Sequence, residues 1–153
     1  MSNTTYEIAM SRQLNRPTSI AYKVVEDLER FPEFMPNVNA LTLLEVEGNR
    51  KVAAWDITID DAPLSWIEEG IYDKQNMLVQ FRSLEGVFDR FDGYWQVVPE
   101  GTGSRVTFEL TYEIGLPEIE DIVGPILRER MIENAESMLE AIEKWVEERN
   151  NCD

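Results

Sequence analysis

The residues best suited to chemistry lie in the segment LSWIEEGIYD (64–73), where Trp66, Glu68 and Tyr72 share one face of a predicted strand. A carboxylate held among aromatic groups loses solvation, which raises its pKa and lets it exchange a proton near neutrality. Carboxylates are seldom buried without a partner, so Glu68 could equally lie at a solvent-facing rim. The pattern leaves both placements open.

A second polar candidate lies near the C-terminus. Asn134 falls within an apolar helical stripe, three residues after Met131 and four before Met138. An amide on such a face needs a partner, which is either the contents of a cavity or a buried backbone group.

Composition excludes several kinds of site. The 153 residues include no histidine, which removes histidine bases, histidine-dependent nucleophiles and imidazole zinc sites. Asp60 and Asp61 lie at a turn without further converging ligands, so we predict no metal site. Any chemistry must use carboxylates, hydroxyls, Arg, Lys or Tyr.

The charge and the hydropathy pattern bear on partners and location. The formal net charge of −16 disfavours nucleic acids and anionic membranes. No apolar run approaches the ~20 residues of a membrane-spanning helix, and the first residues lack the features of a signal peptide. Cys152 has no cysteine with which to form an intramolecular disulfide. We therefore expect a cytoplasmic protein without stable membrane insertion.

Alternating apolar and polar residues predict seven strands. The clearest is RVTFELTYEI (105–114), in which every second residue from Val106 to Ile114 is apolar. Turn-forming segments such as EGN and PEGTG separate the strands. The other six are predicted at residues 5–13, 40–47, 51–59, 64–73, 77–84 and 87–98.

Two helical regions interrupt this pattern. The first begins near Pro17 and ends at the elbow RFPEFMP (30–36). The second runs from Pro125 to about Arg149, and we expect Gly124 and Pro125 to break or kink the chain, leaving 118–123 as a separate turn of helix. The predicted fold class is α+β, with residues 1–153 forming one domain in which a curved antiparallel sheet wraps a long C-terminal helix.

Several segments in this order resemble one superfamily. They are PTSIAYKVVEDLERFPEFMPNV, WDITID, SWIEEGIYD, VQFRSLEGVFDRFDGYWQVVPEG, GSRVTFELTYEI and MIENAESMLEAIEKW. The chain is similar to the START-like, helix-grip (Bet v 1-like) proteins, nearest to their polyketide cyclase and aromatase branch and related to coenzyme Q-binding and lipid-transport proteins. Because this fold hosts enzymes, carriers and receptors, the resemblance is more specific for fold than for activity.

The resemblance implies a deep apolar cavity between the sheet and the helix. It places Phe31, Phe34 and Met35 of the elbow at the cavity mouth, with Pro32 and Pro36 fixing the bends. The alternative is that these three side chains fill the end of the core, as aromatic residues commonly do.

The resemblance also assigns roles within the cavity. It places Arg82 and Trp95 in the cavity lining, with Phe91 alternating with Trp95 along the same strand. Arg82 would then hold a ketone or enolate oxygen, whereas a surface salt bridge is its other interpretation. Two departures from related cyclases, Gly70 in place of a basic residue and Asn37–Val38 in place of a tyrosine, weaken the case for an aromatase.

Two functions follow from the resemblance. One is a polyketide aromatase or cyclase that promotes aldol closure and dehydration of a poly-β-ketone without a cofactor, using Arg82 and Glu68 as catalytic residues. Its ligand-binding residues would be Phe31, Phe34, Met35, Trp66, Tyr72, Phe91, Trp95 and Asn134. The other is binding or transport of an unchanged lipid, quinone or aromatic metabolite.

The expected partner is a hydrophobic or aromatic small molecule. An acyl carrier protein is a further candidate partner, which would dock on the basic residues Arg12, Arg16, Lys23 and Arg30. A weaker third function is contact with ribosomes, as in some bacterial helix-grip proteins, although the acidity of the chain opposes contact with RNA.

Overall fold

The fold is one seven-stranded antiparallel sheet and a long helix, seen in a computed structural model that describes residues 4–59, 61–115 and 117–148. Predictions that fall on Asp60, Arg149 and Cys152 lie outside these residues. The strands are β1 (Thr5–Leu14), β2 (Val38–Glu47), β3 (Arg50–Ile59), β4 (Ala62–Asp73), β5 (Leu78–Gly86), β6 (Phe88–Glu100) and β7 (Gly103–Ile114). The helices are α1 (Thr18–Glu26), α2 (Phe31–Phe34) and α3 (Pro117–Glu148), with a 3-10 turn at Leu28–Arg30.

The order of the strands across the sheet is β1-β7-β6-β5-β4-β3-β2. All neighbours from β2 to β7 are consecutive in the chain, so short turns join them, and β1 completes the sheet beside β7. The predicted alternation in β7 is confirmed, because each residue from Ser104 to Ile114 that points inward is buried. The predicted helix-grip architecture is likewise confirmed.

Helix α3 begins earlier than we predicted. It is continuous from Pro117 and contains Pro125, so residues 118–123 belong to it and do not form a separate turn. The carbonyl that Pro125 cannot bond belongs to Asp121, and both residues are exposed, which allows water to satisfy that group. Gly124 has a packing role, since a Cβ there would lie 2.1 Å from the Tyr6 hydroxyl oxygen.

The concave face of the sheet carries most of the aromatic residues. Inward-facing positions of β3, β4, β5, β6 and β7 supply the rings that pack beneath α3. In the register of β3 and β4, Trp55 lies opposite Trp66, and their rings stack with centroids 5.5 Å apart. These two strands therefore bring Glu68 and two indole groups to one region of the core.

Candidate functional site

A cavity lies between the sheet and α3. Its empty space is about 560 Å³ including the opening to solvent, but the centres of water-sized molecules can occupy only about 40 Å³ of it. It is therefore narrow in this conformation. The lining residues are Trp55, Ile57, Leu64, Trp66, Glu68, Phe81, Phe88, Phe91, Trp95, Phe108, Leu110, Met131, Asn134, Ala135 and Met138.

Among the described residues of this lining, Glu68 has the one ionisable side chain. It retains part of its accessible surface, and its Oε1 accepts a hydrogen bond of 3.0 Å from Trp66 Nε1. Burial raises the pKa of Glu68 to about 8, while the N–H groups of Trp66 and Trp55 act in the opposite direction. At neutral pH most molecules therefore carry a protonated carboxyl group here.

Trp55 lies beside this carboxyl group but is not bonded to it. Its Nε1 is close enough to favour the ionised form of Glu68, yet it reaches hydrogen-bond geometry with no described residue. Trp55 is only 7% exposed, so an indole N–H is buried without an acceptor. The sequence interpretation did not single out this residue.

Asn134 reaches the cavity from α3. Its Oδ1 accepts a hydrogen bond of 3.1 Å from Asn37 Nδ2, which ties α3 to the chain just before β2. This amide thus lines the cavity, as one of the two expectations had it, and its other partner is a side chain and not a backbone group. Trp66, Phe91 and Trp95 also line the cavity, so five of the ten predicted site residues meet there.

Arg82 does not lie in the cavity, and its predicted placement is wrong. Val79 and Phe81 point into the core, so Arg82 points to the convex face, where its side chain is 64% exposed. Its Nε donates a hydrogen bond of 2.8 Å to Glu69, which also pairs with Arg50. The surface salt bridge was therefore the right alternative.

Replacing Arg82 should accordingly have little effect. We expect Arg82→Ala to leave ligand binding unchanged and to lower the free energy of unfolding by less than about 1 kcal/mol, as is typical of an exposed ion pair. Urea unfolding and ligand titration of the same preparation would measure both quantities. A loss of ligand affinity without a loss of stability would show that Arg82 contacts the ligand in the cavity.

Phe31 and Met35 of the elbow lie in the core, Phe34 is partly buried, and none of the three is a lining residue of the cavity. Phe31 and Met35 are 1% and 2% exposed, and the Phe31 ring packs against Trp55 and Trp95 with centroids 5.9 and 6.3 Å away. Phe34 stacks on Trp145 at 4.5 Å. The placement of these residues at the mouth is wrong, because Phe31 and Met35 are buried in the core and Phe34 packs against Trp145 near the end of α3.

Tyr72 lies behind Glu68 and lines a separate depression. Its ring leans over Gly70, where an added Cβ would lie 3.0 Å from the ring, and Lys51 Nζ lies 4.7 Å from the ring centroid on the inner side of β3. Burial, with the nearby charge of Glu68, raises the pKa of the Tyr72 hydroxyl. Tyr72 is thus a neighbour of the site and lies outside the cavity lining.

The fold places the basic residues away from this cavity. Lys23 and Arg30 line a depression between α1 and the end of α3, while Arg12 pairs with Glu143 at 2.6 Å and Arg30 with Asp27 at 3.2 Å.

Across residues 4–59, 61–115 and 117–148 no cluster of three or more potential metal ligands occurs, and no helix is long and apolar enough to cross a membrane.

Comparison with known proteins identifies the family. A family model described as polyketide cyclase / dehydrase and lipid transport matches residues 14–139. The chain belongs to this family. The match spans the first helix, strands β2 to β7 and most of α3, and it confirms the resemblance noted in the sequence.

Two proteins are similar to this chain in sequence. A protein of Pseudomonas aeruginosa called ribosome association toxin RatA is 29% identical over 125 residues, which are 78% of this chain and 83% of that protein. The crystal structure of TTHA0849 from Thermus thermophilus has 32% identity and a TM-score of 0.90, covering 95% of this chain and all of that one (100%).

An aromatase/cyclase shares the fold. Zhui from Streptomyces sp. R1128 matches with a TM-score of 0.89 over 95% of this chain and 96% of its own, at 13% identity. Such low identity shows a common fold and leaves the chemistry to be argued from the residues of the cavity.

Proposed function

We propose that this protein binds a polyketide-like carbonyl compound in the aromatic cavity and promotes its aldol cyclisation and dehydration, with Glu68 as the acid–base group. The observation that carries this proposal is a carboxyl group in an aromatic cavity with a pKa raised by burial to about 8. General acid–base catalysis is most efficient when the pKa of the group lies near the working pH.

The reaction balances without an oxidant or a cofactor. The ionised fraction of Glu68 removes a proton from a carbon between two carbonyl groups, and the resulting enolate carbon forms a bond to a second carbonyl carbon. The protonated carboxyl group then gives its proton to the new alkoxide. Loss of a second carbon-bound proton and of the hydroxyl group releases one water molecule and leaves a double bond.

The surrounding residues supply confinement and orientation. Trp66 holds the carboxyl group by its 3.0 Å hydrogen bond, and the rings of Phe91 and Trp95 restrict the conformations of a bound chain. Asn134 offers its amide nitrogen as a donor, since its oxygen is already bonded to Asn37. In this proposal Arg82 has no catalytic role.

Carriage of an unchanged lipid, quinone or aromatic metabolite is the second candidate. It is favoured by the position of Arg82 on the convex face, where this residue cannot act on a ligand in the cavity. Glu68 would then serve as a hydrogen-bond donor to a carbonyl oxygen of the cargo.

Two possible macromolecular partners have less support. The acyl carrier protein stays a prediction, but Arg12 and Arg30 already have acidic partners, so we propose a ligand that enters the cavity free of a carrier. The Pseudomonas aeruginosa relative is named for ribosome association, whereas the net charge of −16 opposes binding to RNA here.

Product analysis tests the first candidate against the second. A synthetic tri- or tetra-β-ketone thioester would be incubated with the protein, and the ring-closed products would be separated by liquid chromatography and mass spectrometry. We expect the wild type to change the product pattern and to accelerate ring closure, and Glu68→Gln to lose at least about 100-fold of that acceleration.

Arg82→Ala is the matched control, because it removes a charged side chain from the convex face of the sheet and leaves the cavity intact. If the wild type binds the thioester and leaves its product pattern unaltered, the carrier function replaces the cyclase. Equal rates for the wild type and Glu68→Gln would remove Glu68 from the mechanism.

A further inference from the structure

The buried N–H of Trp55 indicates the kind of ligand that the cavity takes. Leaving a buried donor without an acceptor costs about 1–3 kcal/mol. Trp55 is held in place by its stacking on Trp66 and by the ring of Phe31, so its N–H direction is fixed before any ligand arrives.

Glu68 presents a second donor next to this N–H. Trp66 donates a hydrogen bond of 3.0 Å to its Oε1, so a proton on this carboxyl group lies on Oε2. When the carboxyl group is protonated, one O–H and one indole N–H therefore lie close together on residues that line the cavity. The indole N–H has no acceptor among the described residues.

We propose that the Trp55 N–H and the protonated Glu68 carboxyl group form a two-donor site for one ketone oxygen of an uncharged aromatic ligand. This inference rests on the cavity of the proposed function and adds Trp55 as a residue that determines specificity. The Trp55 N–H stays in place when Glu68 is ionised, so it is the donor that stabilises this oxygen as negative charge develops on it during enolisation.

The lining argues for an uncharged ligand. The described residues of the lining include no Lys or Arg, so a carboxylate or phosphate group would be buried here without a counter-charge from them. A ketone oxygen needs no counter-charge, and its aromatic part meets the rings of Trp66, Phe91 and Trp95.

Few other groups titrate near this site. Glu68 is faced by Trp66 on its own strand, by Trp55 from β3 and by Asn134 from α3, none of which changes charge. Beyond Gly70 lie Tyr72, which stays neutral because its pKa is raised, and Lys51, which lies over the Tyr72 ring. The pH dependence of ketone binding therefore reports Glu68.

Two ligands of similar size test the proposal. Acetophenone has a ketone oxygen, and isopropylbenzene replaces that oxygen with a methyl group. Dissociation constants would be measured by ligand NMR titration at pH 7. We expect the wild type to prefer acetophenone, and Trp55→Phe to weaken acetophenone binding about tenfold while changing isopropylbenzene binding less than about twofold.

Trp95→Phe is the matched control, because it makes the same substitution in the same cavity at an indole that does not act on Glu68. Both ligands should respond to it alike. The proposal is overturned if Trp55→Phe weakens the two ligands equally, or if the wild type shows no preference for acetophenone, including failure to bind either ligand.

Glu68→Gln separates this proposal from the cyclase. Glutamine keeps an N–H donor at every pH but cannot exchange a proton, so acetophenone binding should stay within about threefold of wild type at pH 7. Wild-type affinity should fall between pH 7 and 9.5 and that of the variant should not. Loss of cyclisation with retained binding supports both proposals, whereas pH-independent wild-type binding contradicts the two-donor site alone.

Discussion

Glu68→Gln should make the protein more stable than the wild type above pH 8, although it removes a residue of the candidate site. The folded-state pKa of Glu68 is raised to about 8, so between about pH 4.5 and pH 8 the folded protein holds a proton that the unfolded chain has lost. Stability attributable to protonated Glu68 is present below the unfolded pKa and falls by about 1.4 kcal/mol for each pH unit up to the folded pKa.

The variant lacks this penalty because glutamine does not ionise. We expect the two proteins to have similar free energies of unfolding at pH 5 and to differ by about 3–5 kcal/mol at pH 9. The corresponding difference in melting temperature is roughly 10 °C. Thermal and urea unfolding at half-unit pH intervals would measure the curve.

The neighbouring Glu69 supplies a control, because its pKa is shifted in the opposite direction to that of Glu68. Hydrogen bonds from Arg50 and Arg82 lower the pKa of Glu69, so its contribution to stability is present above the unfolded pKa and is lost as the pH falls through the folded pKa. Glu69→Gln should therefore destabilise the protein at pH 7 and have less effect in acid. Parallel pH profiles for the two variants would show that Glu68 is not buried in solution.

The strands of the sheet could be predicted because half-buried strands show their pattern in the sequence. Each of the seven predicted strands lies within about three residues of an observed one, and the clearest alternation, from Val106 to Ile114, matches β7. The error in α3 came from treating Pro125 as a helix breaker, although a proline whose unbonded carbonyl faces water is tolerated.

At Arg82 the local pattern and the family resemblance gave different predictions, and the local pattern was right. Val79 and Phe81 already indicated that Arg82 points away from the core, but the resemblance placed it inside. Trp55 could have been found by the same rule, since it alternates with Ile57 and Ile59 on the inner face of β3. The shape of the cavity depends on how rings from five strands pack, which no local pattern encodes.

The Phe31 ring of the elbow packs against two indoles of the cavity lining. Phe31→Ala should lower the free energy of unfolding by about 3–5 kcal/mol, because it removes a ring that is 1% exposed and leaves a cavity between Trp55 and Trp95. The Pro32 and Pro36 bends thus serve to turn this ring into the core. Urea unfolding with an unchanged m-value would measure the loss.

Phe34→Ala is the comparison that separates a core role from a lid. Phe34 is only partly buried and stacks on Trp145, so we expect its replacement to cost about 1–2 kcal/mol. Phe31 packs against two indoles of the cavity lining, one of which is Trp55. Phe31→Ala should therefore also weaken acetophenone binding, because Trp55 is then held less firmly. If Phe31→Ala instead speeds ligand entry and leaves stability within about 1 kcal/mol of the wild type, the elbow is a lid over the cavity and the ring does not belong to the core.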